Sequence, residues 1–453
     1  MKNKGIAAPT FVLYAQKWPY GVILHMRRGK GGILRHATIA LAVLLLLVTS
    51  TTQAANPVSI VVKLLPGTNL TLVSNLLGGT VIDSIPNTNT YLLRVPVQPV
   101  LSPILKLLGV EWIEANRSLA LPTTGQLRLL EVPWNSGSGW YQGQPALQQI
   151  RTRAAHDYST GRGIIIADIN SRVDFGHAAL AGHIGAGYDF VANRPSSVAT
   201  LNDDQSTAGF LDDDQSTAGF LDDDQSTAGF LDGNGVRLLD PLFNNAQGAA
   251  SHGTLCAGVL AAVAPDATLM PLRAFDDNGN SDLFTLAKAI RYARNNGANV
   301  LNMSFGTHTD ARVLREAIEF AKSGNVLLVA SAGNDNTATP QYPAAYPGVL
   351  AVAATDLLDR KASFSNYGSF VFVDAPGTHI ISPIPGGGYG IASGTSFSAP
   401  MVSGMAALIR SLRYSDTSKI VAESTIPIDG INPQYSGSLG HGRIDLLPAV
   451  RSR

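Results

Sequence analysis

From Gly161 onward the chain alternates two kinds of segment. Short runs apolar at almost every position (Ile164–Ile169, Val300–Met303, Val326–Ala330 and Val349–Ala353) are separated by stretches of helical spacing (Gly253–Val263, Asp282–Asn295, Ala311–Ser323 and Ala399–Leu412). A strand apolar on both faces must be covered on both faces. The alternation therefore predicts an α/β domain, a doubly wound parallel sheet with helices on either side. Composition agrees: of the 453 residues 45% are hydrophobic, which excludes disorder as the main state, and only 15% are charged. The 33 basic and 33 acidic residues cancel, so no basic field exists to attract nucleic acid or an anionic membrane. The one cysteine, Cys256, excludes an intramolecular disulfide and a cysteine-based zinc site.

The chain upstream reads as three further parts. Residues 1–54 contain an apolar run over 37–48, preceded by Arg27, Arg28, Lys30 and Arg35 and followed by the small-x-small triplet Thr52-Gln53-Ala54. This is the layout of a secretory signal peptide, and the run is short for a membrane anchor, the competing reading. Residues 1–25 read as an extension, Met26 being a more natural start. Residues 55–120 predict strand, helix, strand, strand, helix, strand over Val58–Leu65, Leu70–Leu77, Thr80–Ile85, Tyr91–Val95, Val100–Leu108 and Val110–Ile113. That order is a split βαβ, or ferredoxin-like, α+β unit. Residues 121–149 lack a period and read as a linker and processing region.

Within the remaining domain, 150–453, residues 201–230 hold three near-identical copies of Leu-Asp-Asp-Asp-Gln-Ser-Thr-Ala-Gly-Phe, Asn202 being the one departure. Three ten-residue copies cannot bury a core of their own. The aspartate triplets have the oxygen chemistry for Ca²⁺, but a solvated acidic loop accounts for them as well.

Three segments carry chemistry. Ser396 lies in Gly394-Thr395-Ser396-Phe397-Ser398-Ala399-Pro400, just before a helix, where the helix field favours developing negative charge. His252-Gly253-Thr254 opens the helix Gly253–Val263 and supplies a general base if the fold brings it to the serine. Ser331-Ala332-Gly333-Asn334 follows a buried strand, and Asn334 can donate to an oxyanion. Each alone is weak, since a lone histidine or serine is usually structural.

Together and in this order they resemble the subtilisin-like serine proteases, the subtilases. The matching stretches are His252–Gly258, Asn299–Gly306, Ala332–Asn334, Tyr342–Pro347, Phe364–Gly368, Ser393–Ser396 and Gly442–Asp445, with Tyr91–Val95 and Val110–Arg117 resembling the family's inhibitory propeptide. The resemblance implies Ser396 as nucleophile, His252 as general base, and Asn334 with the Ser396 N–H as oxyanion hole. It implies Ser304, Phe305 and Gly306 as the edge on which a peptide or protein substrate pairs as an added strand. Asp335 would border the pocket for the residue before the cut, with a slight basic preference. The expected product is a secreted or periplasmic serine endopeptidase, made as a zymogen whose own propeptide inhibits it, monomeric and free of membrane after signal cleavage. No cofactor is required. The stretch His177-Ala178-Ala179-Leu180 lacks the family's frequent calcium-ligating aspartate, so a structural Ca²⁺ is not assignable, and no metal site is expected.

One position departs from the pattern. Over Gly163–His177 the family's catalytic aspartate is replaced by Asn170, and its glycine by Arg172. An asparagine at the acid position of a serine protease lowers turnover roughly 10⁴-fold by favouring the wrong histidine tautomer. Two residues earlier, Asp168 interrupts an apolar strand on the same face as Asn170. A buried carboxylate without a partner is expensive. Two readings stay open. In one, a strand slip or bulge makes Asp168 the triad acid. In the other the triad lacks its acid, and the chain is a catalytically impaired pseudoprotease serving as a binding or scaffold protein. An esterase on the same site fits less well, because the peptide-pairing edge is intact. Asp174 reads as structural, Leu255 replaces a common histidine, and Cys256, one helical turn after His252, reads as a buried, inert thiol.

Overall fold

The computed structural model describes residues 11–18, 21–28, 56–122, 127–133, 136–196, 225–239 and 245–451. The chain forms two compact units, Met1–Pro57 and Val58–Arg453. In the first, Phe11–Trp18 and Gly21–Arg28 pair as an antiparallel hairpin. The apolar run at 37–48 and the triplet after it lie outside the described residues. Among the described residues no helix is long and apolar enough to cross a membrane.

The second unit is built on a ten-stranded sheet. Its centre is parallel, in the spatial order Gly187–Asp189, Thr268–Arg273, Ile165–Asn170, Val300–Met303, Leu327–Ser331, Val349–Thr355, Val373–Pro376 and Arg443–Ile444. Helices Asn245–Val263 and Thr395–Ser411 pack in one core cluster, and Leu283–Asn295 and Arg312–Ser323 in another. The doubly wound expectation holds. Thr268–Arg273 pairs with Ile165–Asn170 on one side, and Val300–Met303, later in the chain, pairs with it on the other. The sheet therefore changes winding direction at the C-terminal end of this strand, which ends at Asn170, and such switch points form crevices.

Val58–Ala115 forms a separate four-stranded antiparallel sheet in the order Thr80–Ile85, Thr90–Val95, Val58–Leu64, Val110–Ala115, with helices Leu70–Leu76 and Pro103–Leu107. This is the split βαβ arrangement expected. It packs on the helices Leu283–Asn295 and Arg312–Ser323. Val61, Ile85 and Trp112 join their apolar cluster. The Glu114 carboxylate accepts from Arg312 N and Val313 N, both at 2.8 Å. No side chain within that helix caps these first-turn N–H groups, since its N-cap residue is Ala311. Trp112 Nε1 donates to Glu316 (2.8 Å) and Lys288 to Asp83 (2.6 Å).

Three expectations are corrected. The expected linker, 121–149, is folded over its described residues 127–133 and 136–149. Arg128–Glu131 pairs with Tyr389–Ile391, and Pro145–Gln149 is helical. Leu127, Leu130, Tyr141, Leu147 and Ile150 are buried, and the Gln144 amide bonds both polar groups of the Ile381 backbone (2.7 and 2.8 Å). The helix of His252 starts at Asn245, so His252 lies inside it and does not open it. The third decapeptide is not wholly a loop, because its end, Gln225–Phe230, begins a helix to Gly233, and Phe230 stacks on Trp140 at 5.7 Å. Residues 201–224, with their aspartate triplets, lie outside the described residues.

Candidate active site

Four elements meet at the winding switch. The strand Ile165–Asn170 delivers Asn170 at its last position. The helix Asn245–Val263 crosses its end and delivers His252. Ser171 clamps the two together, its Oγ donating to Ala249 O (2.7 Å) and accepting from Gly253 N (3.0 Å). Gly253 makes this approach possible, because a Cβ there would lie 2.5 Å from the carbonyl oxygens of Ser171 and Arg172. Thr254 adds a second clamp by accepting from Asp174 N (3.0 Å), and the Asp174 carboxylate accepts from Gly176 N (2.9 Å) and Gly386 N (3.0 Å).

Ser396 sits in the first turn of Thr395–Ser411, one residue inside the helix and not before it. Four residues on, Pro400 has no N–H, so the Ser396 carbonyl loses its helical donor. Two side chains satisfy it instead, Ser304 Oγ (2.8 Å) and Cys256 Sγ (3.4 Å). The cysteine is thus a buried donor, its thiol pushed well above its ordinary pKa by burial. Ser396 Oγ donates to the Ser304 carbonyl (3.3 Å). The Ser304-Phe305-Gly306 segment follows directly on the strand Val300–Met303 and so runs beside Ser396. Ser304 and Phe305 are buried.

Asn334 follows the strand Leu327–Ser331 through a turn at Gly333, whose φ of +108° suits glycine. Its Oδ1 accepts from Thr395 N (2.9 Å) and Thr395 Oγ1 (2.7 Å). With the oxygen occupied on that side, the Nδ2 group is left to donate into the site. Asp335 accepts from Gln341 Nε2 (2.6 Å) and lies 3.5 Å from His308 Nε2, with both side chains about half exposed.

The third triad position is decided by strand register. Ile165–Asn170 pairs in continuous parallel register with Thr268–Arg273 on one side, and its residues 166–169 pair likewise with Val300–Met303 on the other. The slip or bulge that would carry Asp168 to the histidine is absent. His252 Nδ1 meets Asn170 Oδ1 at 2.7 Å. Asp168 stands behind the asparagine, accepting from Asn170 Nδ2 (3.2 and 3.4 Å) and from Asn302 Nδ2 (2.8 Å). Burial pushes its carboxyl up to about 7, against the lowering effect of those two donors. Burial likewise lowers His252 to about 4. The imidazole Nε2 has no hydrogen-bond partner among the described residues. It is free to act as a base once Ser396 Oγ turns from the Ser304 carbonyl, in keeping with the looser geometry of catalytic groups before substrate binds.

Comparison with known proteins gives the family. Residues 161–426 match the Subtilase family profile. This chain belongs to the subtilases. Over 326 residues this subtilase is 35% identical to the thermophilic serine proteinase of Bacillus sp. (strain AK1), covering 71% of each chain. Over 316 residues it is 34% identical to thermitase of Thermoactinomyces vulgaris, covering 67% of this chain and 94% of thermitase. The family makes it a serine-type endopeptidase acting on peptide or protein substrates. Among solved structures, fervidolysin from Fervidobacterium pennivorans, a keratinolytic enzyme related to subtilisin, superposes with a TM-score of 0.65 at 22% identity. That match covers 89% of this chain and 62% of fervidolysin, and at this identity it speaks for the fold.

Of the residues singled out in the sequence, Ser304 contacts Ser396 directly, His252 is linked to it through Cys256, and Asn334 bonds the neighbouring Thr395. The sequence reading missed Ser171, Asn302 and Thr395, the residues that hold the functional side chains. It also missed a second peptide-pairing edge. Ser118–Ala120 lies antiparallel on Asn280–Asp282, and Leu121 N donates to Gly279 O at 2.8 Å.

Proposed function

We propose that this subtilase is an exported endopeptidase that works with a Ser396–His252–Asn170 set and is made with an N-terminal inhibitory unit. The observation that carries the reading is the 2.7 Å contact between His252 Nδ1 and Asn170 Oδ1. A carbonyl oxygen there requires the imidazole proton on Nδ1, which leaves the Nε2 lone pair for the serine. This is the tautomer that catalysis needs.

In the reaction Ser396 Oγ attacks the scissile carbonyl carbon while its proton passes to His252 Nε2. The carbonyl oxygen becomes an oxyanion held by Asn334 Nδ2 and the Ser396 N–H. The tetrahedral intermediate collapses, the C–N bond breaks, and His252 returns the proton to the leaving amine. Water then repeats the sequence on the acyl-enzyme, releasing the acid and restoring Ser396. The neutral Asn170 accepts from the imidazolium without carrying a countercharge, so the enzyme is slower than one with a carboxylate there. Replacing Asn334 with leucine lowers kcat roughly 10²-fold with KM little changed, as measured on a fluorogenic peptide, because the lost contact forms only in the transition state.

Residues 55–120 are read as the propeptide and 1–54 as extension and signal peptide, giving a secreted or periplasmic monomer. Support comes from the Glu114 cap and from Ser118–Ala120, which lies as an added strand on the catalytic domain. Glu114→Ala weakens the hold on the cut unit by roughly 1 kcal/mol, about fivefold in its dissociation rate, as read by release from the purified trimmed enzyme.

A second reading keeps the neutral triad position as decisive and makes the chain a binding protein on a subtilase fold. Mass spectrometry of the expressed chain separates the two. The protease reading requires loss of the N-terminal unit in wild type and its retention in Ser396→Ala. Equal retention in both sinks it.

A further inference from the structure

We infer that Asp168 is a positioning residue, which holds the Asn170 side chain with its carbonyl oxygen toward His252 and so lets an asparagine stand where a serine protease ordinarily needs an acid. An asparagine amide is nearly symmetric in shape, and either end fits the space beside the imidazole. Only the oxygen end gives the working tautomer. An NH₂ group aimed at Nδ1 would force the histidine proton onto Nε2, where it blocks the base. Something must therefore choose the orientation.

The contacts around Asn170 make that choice at both ends of the amide. Oδ1 accepts from the Ser171 N–H (3.0 Å) as well as from His252 Nδ1 (2.7 Å). Nδ2 faces the Asp168 carboxylate at 3.2 and 3.4 Å. A flipped amide would set its NH₂ against the Ser171 N–H, donor against donor. Where Asp168 is ionised, above about pH 7, it would also set its oxygen against the carboxylate, acceptor against acceptor. Both residues are almost fully buried, so no water relieves either conflict. The carboxylate is itself fixed, because Asn302 donates to it and is held in turn by Ser403 Oγ (2.9 Å). This also accounts for a charged residue among Ile166, Ala167 and Ile169, where an apolar side chain would be far less costly. The Asn334 amide is set from its oxygen end alone, by Thr395 N and Oγ1.

The kinetic part of this inference rests on the protease reading; the orientation does not. The test uses the full-length chain as wild type, Asp168→Val, Asn170→Asp and the double variant, each checked for a wild-type melting transition. Two quantities are read: kcat and KM on a fluorogenic peptide, and the His252 tautomer by NMR of ¹⁵N-histidine-labelled protein. Wild type is expected as the Nδ1–H tautomer. Asp168→Val is expected to shift it toward Nε2–H and to lower kcat roughly 10- to 100-fold at similar KM. In the Asn170→Asp background the same valine substitution is expected to cost nothing, because a carboxylate has no wrong end. An equal loss in both backgrounds would mean that Asp168 only fills space, and overturns the inference. So does an Nε2–H tautomer in wild type, which needs no variant to fold. If wild type shows no Ser396-dependent turnover, the protease reading fails, and the tautomer comparison still decides the role of Asp168.

Discussion

Ser396→Ala stops removal of the N-terminal unit and lowers peptide turnover by roughly 10²- to 10³-fold, the share of the triad's contribution left when an asparagine stands at the acid position, with the melting transition unchanged. The residue sits in the first turn of a fully packed helix, and its side chain makes one long contact, 3.3 Å to the Ser304 carbonyl. Losing that contact costs little stability, so the collapse in rate reads out chemistry alone. Adding His252→Ala to Ser396→Ala lowers the rate no further, because the base has no other proton to take. A single-site loss as small as tenfold would mean that the measured hydrolysis comes from a contaminating protease. The measurement is steady-state kinetics on matched, mass-verified samples.

Ser396, His252 and Asn334, the proposed nucleophile, base and oxyanion donor, stood out in the sequence because each sits in a dense local motif whose glycines and small residues are dictated by close approach. Gly253 beside the Ser171 and Arg172 carbonyls is one case. The alternation of apolar runs with helical segments was legible too, since a parallel sheet covered on both faces leaves no other pattern. What stayed hidden was of a different kind. Residues 127–149 fold through a few scattered buried side chains and the Gln144 amide on the Ile381 backbone, and neither has a period. The early start of the His252 helix was hidden by Gln247, Gly248 and Ser251, which lack a helical stripe. The identity of the triad group could not be read at all. Asp168 and Asn170 share a strand face, and only pairing register on both sides of the strand tells which one reaches the histidine. Ser171, Asn302 and Thr395 are ordinary polar residues in sequence. Their importance lies in whom they touch.

The double variant Asp168→Val with Asn170→Asp is expected to exceed wild type in kcat by roughly 10³-fold, about 4 kcal/mol of barrier. The gain has one source. Asn170 already sets the tautomer, so a carboxylate adds only the electrostatic stabilisation of the imidazolium as it forms, in a site where water is excluded. The single variant Asn170→Asp is expected to gain much less. It sets two buried carboxyl groups in contact, and such a pair retains a proton that quenches one of the charges. Removing Asp168 releases that constraint, so valine, harmful beside asparagine, becomes beneficial beside aspartate. The pH profile moves with it. Wild-type His252 is held near 4 by burial, so its base form persists as pH falls toward that value. An adjacent carboxylate stabilises the protonated ring and raises the acid limb by roughly 1–3 pH units in the double variant. Turnover thus rises at neutral pH while activity at pH 5 falls relative to the pH 7 value. A double variant with unchanged kcat and an unmoved acid limb would show that Asn170 does not contact the working histidine, and would sink the three-residue assignment.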